Sequence, residues 1–274
     1  MDPEVVTLRP NSRPDRTALI ALLDLGDLLA EAPLPIEQTR VIGGHMVAIH
    51  VARHGLDLSH ARTTADTDFG LGVNDLLRLG LTERFSSRDY RLRAGHRFYR
   101  QLGNDRDDEA VVDVLVPTYT SRSGGRRRVG DIVTFKTPGL AELLLIEPLL
   151  VRIKVDFSDG TTREAMFAIP DERGALFIKV LTWDSRRRQK DAGKDAFDIW
   201  RCLEMCRLAR VGPNDWPELF GDAWKQILQN SYRRQDHQGC LDLARYLKAS
   251  GADPAHAVTR TVALVLAVVG QARK

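Results

Sequence analysis

Val111-Val112-Asp113-Val114-Leu115-Val116 is apolar and mostly β-branched, with one carboxylate in its middle. The run reads as a buried strand. An aspartate buried there without a partner costs on the order of several kcal/mol, so it needs a cation or strong hydrogen-bond donors. Upstream, Thr64 to Phe69 alternates weakly, as a strand with one functional face does. Asp66 and Asp68 are two positions apart and project from one side of such a strand, about 6–7 Å apart along it. Carboxylates that close repel unless a divalent cation lies between them. Pairing the two strands brings Asp66, Asp68 and Asp113 together on one or two Mg²⁺ (or Mn²⁺) ions. A site of that kind clamps the attacking and leaving oxygens of an in-line phosphoryl displacement.

Further out, Thr39 to Ile42 reads as a strand, Gly43-Gly44 as a tight turn, and Met46 to Arg53 as a helix closed by Gly55. Two glycines at the mouth of a helix let backbone N–H groups and the helix dipole meet an anion closely. Gly-Gly and Asp-x-Asp are each weak signals. Their order is specific: strand, Gly-Gly, helix, Asp-x-Asp on a strand, then a lone aspartate on a later strand.

The rest of the chain is mixed in front and helical behind. Pro14 through Glu31 carries leucines at helical spacing, with Ser12 as N-cap. Val73 to Leu81 reads as a helix and Gly95 to Gln101 as a strand. Thr118 to Asp131 is rich in Ser, Gly and Arg and reads as a loop. Leu150 to Phe157 and Thr162 to Ile169 flank Ser158-Asp159-Gly160, a hairpin signal. Helices are expected over about 173–187, 192–210, 215–229, 236–250 and 253–271. The expected fold is α+β, with a mixed sheet and flanking helices in residues 1–170 and a helical bundle in residues 171–274.

Composition bounds the partners. With 274 residues and 43% hydrophobic content the chain can bury a real core, and 28% charged residues keep it in water. Its longest apolar run, Val262 to Gly270, is far short of a membrane span. The acidic start, Met1 to Glu4, lacks a secretory signal's pattern, so a cytoplasmic protein is expected. Three cysteines cannot all pair, and Cys202 and Cys206 read as small core residues on a helix. His50 and His54, four apart, lack a third zinc ligand at usable spacing. The four tryptophans (183, 200, 216 and 224) read as core of the helical half. A net charge of +3 is mild, but Arg122, Arg126, Arg127 and Arg128 cluster, as do Arg186, Arg187, Arg188 and Lys190. Each cluster is either a solvated surface or a phosphate-tracking one for RNA.

Gly43-Gly44 followed by Arg62-x-Thr64-x-Asp66-x-Asp68 resembles the first motif of nucleotidyltransferases of the AbiEii/MenT toxin group, within the DNA polymerase β-like superfamily. His96-Arg97-Phe98 before Val112-Asp113-Val114-Leu115 is similar to that group's second block. Lys179, Arg186-Arg187-Arg188 and Lys194-Asp195-Ala196-Phe197-Asp198-Ile199 resemble its third. The match runs over roughly residues 40 to 200. The resemblance implies a polymerase β-like core whose active site is completed by the helical domain. It also implies a nucleoside triphosphate substrate, release of pyrophosphate, an acceptor at the tRNA 3′ end, blocked translation, and a cognate antitoxin partner.

On that resemblance Asp66 and Asp68 bridge two metals, Asp113 binds the catalytic one, and Gly43 and Gly44 hold the β- and γ-phosphates. Thr64 either touches the triphosphate or is an ordinary strand threonine, and Arg62 either neutralises phosphate or braces its loop. Lys179 reaches the triphosphate or snorkels to the surface. Asp195 joins the catalytic centre with Asp198 orienting its neighbours, unless Lys194 and Asp198 form an intrahelical pair. His45 departs from the pattern, in which serine follows the glycines. Two other functions stay open. One is transfer to a small hydroxyl acceptor of the aminoglycoside type, cradled by Asp105, Asp107, Asp108 and Glu109. The other is a non-catalytic module that binds RNA or a protein partner.

Overall fold

Ser12 separates an extended segment from a long helix, and its hydroxyl accepts from the Asp15 amide as an N-cap. Before it, β1 (Glu4–Leu8) buries Val6 and Leu8 and exposes Val5 and Thr7, the alternation of a one-sided strand. After it, α1 (Arg13–Ala30) buries its alanine and leucine face. The computed structural model describes residues 3–56, 64–105, 108–118 and 125–270. Two compact units are present: residues 1–53 with 62–170, and residues 54–61 with 171–274.

The first unit continues with β2 (Thr39–Ile42), α2 (Gly43–Arg53), β3 (Thr67–Leu71), α3 (Val73–Leu79), α4 (Leu81–Ser86), β4 (Arg91–Arg93), β5 (Arg97–Gln101) and β6 (Glu109–Pro117). It closes with β7 (Arg126–Val129), β8 (Ile132–Thr137), α5 (Leu140–Leu145), β9 (Leu149–Asp156) and β10 (Thr162–Ile169). A mixed seven-stranded sheet runs β2-β3-β6-β5-β4, with β8 also on β6 and β7 beyond it. Within it β3 and β8 are parallel to β6, and β5 is antiparallel. A second sheet, β1-β9-β10, pairs β1 parallel to β9 and closes β9–β10 as a hairpin. Gly160, at φ +84°, supplies the left-handed residue of that turn. The architecture is α+β, with mixed sheets flanked by helices and a helical C-terminal region.

One face of the seven-stranded sheet is core. Val112, Val114 and Val116 of β6 are fully buried against α1, and the Thr67 hydroxyl donates to the Ala18 carbonyl of that helix at 3.2 Å. Two buried ionic devices brace the unit, one on this side and one, at Arg40, on the other. Asp24 of α1 accepts from the Tyr90 hydroxyl at 2.8 Å, from Arg100 at 2.5 Å and from Arg163 at 3.1 Å. Burial, reinforced by Asp24, pushes the Tyr90 phenol well above its ordinary pKa. Arg40, fully buried, donates to the carbonyls of Glu37, Thr39, Leu143 and Ile146 at 2.6–3.1 Å. Burial pulls its pKa down to about 10, and it still serves as a cation on the last carbonyls of α5.

Several boundaries differ from the sequence reading. Thr64 to Asp66 precede β3, which starts at Thr67 and ends at Leu71. Gly80, left-handed at φ +56°, splits the single helix expected over Val73 to Leu81 into α3 and α4. The loop expected over Thr118 to Asp131 ends early, because Arg126 to Val129 pair with Ile132 to Phe135 as a two-strand ribbon. Arginine is a weak strand former, and partner pairing overrides that preference.

The second unit carries α6 (Glu172–Arg186), α7 (Ala192–Leu208), α8 (Ala223–Tyr232), α9 (Gln238–Ala249) and α10 (Ala255–Val269). Asp171 caps α6 by accepting from the Gly174 amide at 2.8 Å. The helix expected over 215–229 is a 3-10 turn at Glu218–Phe220 followed by α8, with Gly221 between them. Trp183, Trp216 and Trp224 are buried as expected, and Trp200 is half-buried. All three cysteines are unpaired and buried, and burial raises each thiol's pKa, Cys240 to about 12. Among the described residues, no helix is long and apolar enough to cross a membrane.

Candidate active site

Register puts the acids in one row. Ile42 of β2 lies opposite Asp68 of β3, Asp68 lies opposite Asp113 of β6, and Asp113 lies opposite Arg97 of β5. Residues in direct register share a face. The row therefore reads apolar, acid, acid, arginine across four strands. It lies on the face opposite Val112 and Val114, away from α1. Asp66 sits in the bend just before β3.

Arg97 binds two of the three acids, Asp113 in the row and Asp66 before it. Its Nε donates to Asp113 Oδ1 at 2.8 Å and its Nη2 to Asp113 Oδ2 at 2.6 Å. The same Nη2 reaches Asp66 Oδ2 at 3.2 Å. A two-pronged guanidinium–carboxylate contact is the strong form of ion pair. The Asp113 carboxylate in turn holds the guanidinium pKa above its ordinary value. Beside the divalent cation expected from the sequence, the chain itself supplies one cation to two of these acids. The residue was within sight, since Arg97 falls in a segment quoted for its resemblance. Its role depends on the β5–β6 register, which no spacing rule reveals.

The glycines are required by close approach. Gly43 follows Ile42 directly and has φ +69°, a conformation costly for any residue with a Cβ. A Cβ there would also overlap the Asp68 carboxylate, and a Cβ on Gly44 would overlap the Thr64 hydroxyl. The Asp68 carboxylate therefore rests on the first turn of α2, where the helix dipole favours negative charge by about 0.3–1 kcal/mol. Thr64 is buried against the same turn from the chain preceding β3. His45 follows the glycines, where the motif has serine. It is buried, with Nδ1 3.4 Å from the Thr67 hydroxyl, and Thr67 points to the α1 side. His45 belongs to the packing beneath the site.

These donors suit a hard divalent cation. Asp66, Asp68 and Asp113 offer only carboxylate oxygens, the ligand type Mg²⁺ and Mn²⁺ prefer. Each oxygen of an ionised carboxylate has capacity beyond one hydrogen bond, so Asp113 can hold Arg97 and a metal together. The absent Cβ at Gly43 leaves Asp68 room. By donor type the three carboxylates suit such an ion, with Arg97 as a counter-ion beside Asp113 and Asp66.

The remaining residues fall elsewhere. Arg62, Asp107 and Arg122 lie outside the described residues. Lys179 and Asp198 form a buried ion pair at 2.7 Å between α6 and α7, and Asp195 is buried on α7. Lys194 pairs with Asp191 at 3.1 Å, so Asp198 takes Lys179 as its partner. Arg126, Arg127 and Arg128 are exposed along β7, and Arg186, Arg187 and Arg188 are exposed at the end of α6. Asp105 and Asp108 are bound by Arg13, and Glu109 by Arg93. His50 Nε2 meets the Pro170 carbonyl at 2.8 Å, and His54 meets Glu172 at 2.7 Å.

No family model and no curated protein matches the chain. Among solved structures it is similar to an antigenic nucleotidyltransferase-like protein from Paracoccidioides brasiliensis, with 13% identity. That alignment covers 90% of this chain and 93% of the other, at a TM-score of 0.36. So loose a superposition carries no weight for chemistry, which is decided by specific residues in a site.

Proposed function

We propose that this chain is a metal-dependent nucleotidyltransferase that moves a nucleotide from a nucleoside triphosphate to a hydroxyl of RNA. The observation that carries the reading is the Asp68–Asp113 register pair, with the Asp68 carboxylate set against a helix start where Gly43 and Gly44 carry no side chain of their own. Asp66, Asp68 and Asp113 would hold Mg²⁺. When bound, Mg²⁺ offsets charge on the reacting phosphate and lowers the pKa of the attacking hydroxyl. The backbone N–H groups of α2 bind the triphosphate. Arg97 fixes the plane of the Asp113 carboxylate through its two hydrogen bonds. Pyrophosphate leaves as the acceptor oxygen bonds to the α-phosphorus.

An RNA acceptor is favoured by the exposed arginines of β7, since a small acceptor has no use for a cationic strand. The resemblance to AbiEii/MenT toxins extends the proposal to the tRNA 3′ end, blocked translation and a neutralising antitoxin. It also assigns Lys179 and Asp195 a part in catalysis, and Arg186 to Arg188 a part in RNA contact. The rival reading, a small aminoglycoside-type acceptor held by acids, is weakened because Arg13 and Arg93 already occupy Asp105, Asp108 and Glu109. A non-catalytic module has no use for Asp68 and Asp113 side by side on one sheet face with Asp66 next to them.

The test is incubation with each α-labelled triphosphate, Mg²⁺ and total RNA, followed by a denaturing gel. Label should enter RNA from at least one triphosphate, with pyrophosphate released and both signals lost in EDTA. Label appearing only on small hydroxyl compounds would transfer the case to the rival reading.

A further inference from the structure

The face that carries Asp113 continues past it. Leu115, two residues further along β6, points the same way, and its register partner on β8 is Phe135. Phe135 is in turn opposite Arg126 on β7. A second row, Leu115–Phe135–Arg126, thus runs beside the row of acids. Phe135 lies one strand over and two residues along from Asp113, about 8 Å between Cα atoms from ideal strand spacings.

Phe135 is an anomaly there. Its neighbours Ile132 and Thr134 are buried on the core side, yet Phe135 is 38% exposed. It is also held in place. The His96 ring meets it edge-on, with centroids 4.5 Å apart. The Arg126 guanidinium lies 5.4 Å from its ring centroid. The left-handed residues Ala94 and Gly95 turn the chain into β5, and the Gly95 carbonyl accepts from Val133 at 2.7 Å. That junction places His96 beside β8. The ribbon from Arg126 to Thr137 contains Arg126, Arg127, Arg128 and Lys136 against one acid, Asp131. An exposed, braced aromatic ring among arginines is the pattern by which proteins hold unpaired bases, with the ring stacking the base and the cations tracking the phosphates.

We infer that Phe135, braced by His96 and flanked by Arg126, is the platform on which an unpaired base of the acceptor RNA stacks beside the row of acids. This rests on the RNA-acceptor reading and adds to it the means by which the end nucleotide is positioned. Stacking tolerates any base, so the platform positions the strand without selecting its sequence.

The test is binding of a fluorescein-labelled oligoadenylate, read by anisotropy across a salt series, to the parent chain and to Phe135→Ala, Phe135→Tyr and Arg126→Gln. Phe135→Ala should raise Kd about tenfold, the scale of one stacked base, with the slope of log K against log salt unchanged. Phe135→Tyr should stay within about twofold, because the ring is kept. Arg126→Gln should make the slope shallower by about 0.7, the value for one phosphate contact on a single strand. Thermal melts of each variant establish that the fold is intact. Equal Kd values for parent and Phe135→Ala, equal losses for Ala and Tyr, or no binding by the parent overturn the inference. Because the readout is binding, it separates from transfer. Phe135-dependent binding without label transfer leaves the platform standing and sinks the enzymatic reading; transfer with Phe135-independent binding does the reverse.

Discussion

Asp68→Asn should lower nucleotide transfer by about 10³-fold while leaving the melting curve close to that of the parent. The first half of this expectation follows from charge. An asparagine keeps the shape but removes the anion that holds the metal, and losing a preorganised charge of this kind costs a factor on the order of 10²–10³ or more. The second half follows from the opposing forces on Asp68. Its carboxylate faces Asp113 across the β3–β6 register and also rests on the start of α2. Relief of repulsion and loss of a dipole interaction are each about 1 kcal/mol or less, and they offset one another. Asp113→Asn should differ, because Arg97 donates to both Asp113 oxygens. An amide accepts with one oxygen only, so that variant should lose activity and also melt lower. Unfolding of Asp68→Asn at ordinary temperature would make the row of acids a structural element.

Gly43→Ala should be damaging on both counts. Gly43 has φ +69°, and a Cβ there overlaps the Asp68 carboxylate. The left-handed backbone costs about 1–2 kcal/mol for alanine, and displacing a packed group adds about 1–3 kcal/mol. A loss of about 3 kcal/mol in a denaturant titration is expected. Activity of the folded fraction should fall about 100-fold, since Asp68 is pushed from its place beside Asp113 and misplacement by about 1 Å carries that penalty. Gly55→Ala is the control. Gly55 is also left-handed, at φ +59°, but a Cβ there meets nothing within 4 Å. It should show the backbone cost alone and keep its activity. Equal activity losses in the two variants would remove Gly43 from the site.

The parts that were legible in the sequence are those set by local pattern. The strand at Thr39–Ile42, the Gly-Gly turn after it, the valine-rich β6 and the hairpin at Ser158-Asp159-Gly160 depend on neighbouring residues alone, and β2 and β10 run as read. The parts that were not legible depend on partners far along the chain. Arg97 matters because β5 runs antiparallel to β6 and lands it opposite Asp113. Arg126 to Arg128 look like a loop until Ile132 to Phe135 pair with them. Arg40 lies on a short strand, and carbonyls at the end of α5, 103 and 106 residues away, bury it. His45 departs from the serine of the motif, and a one-dimensional motif does not say which way a side chain turns. In three dimensions it is buried, with Nδ1 3.4 Å from the Thr67 hydroxyl.

The central claim is that the face bearing residues 66, 68 and 113 gathers a divalent ion and a triphosphate. Crystals grown with Mn²⁺ and a non-hydrolysable triphosphate test it directly through anomalous scattering. The account predicts a manganese peak bonded to carboxylate oxygens of Asp68 and Asp113 at about 2.0–2.2 Å, in the range for a small hard cation, with the phosphates at the amides that open α2. Manganese bound elsewhere, with Asp113 held by Arg97 alone and no phosphate at Gly43-Gly44, would contradict it.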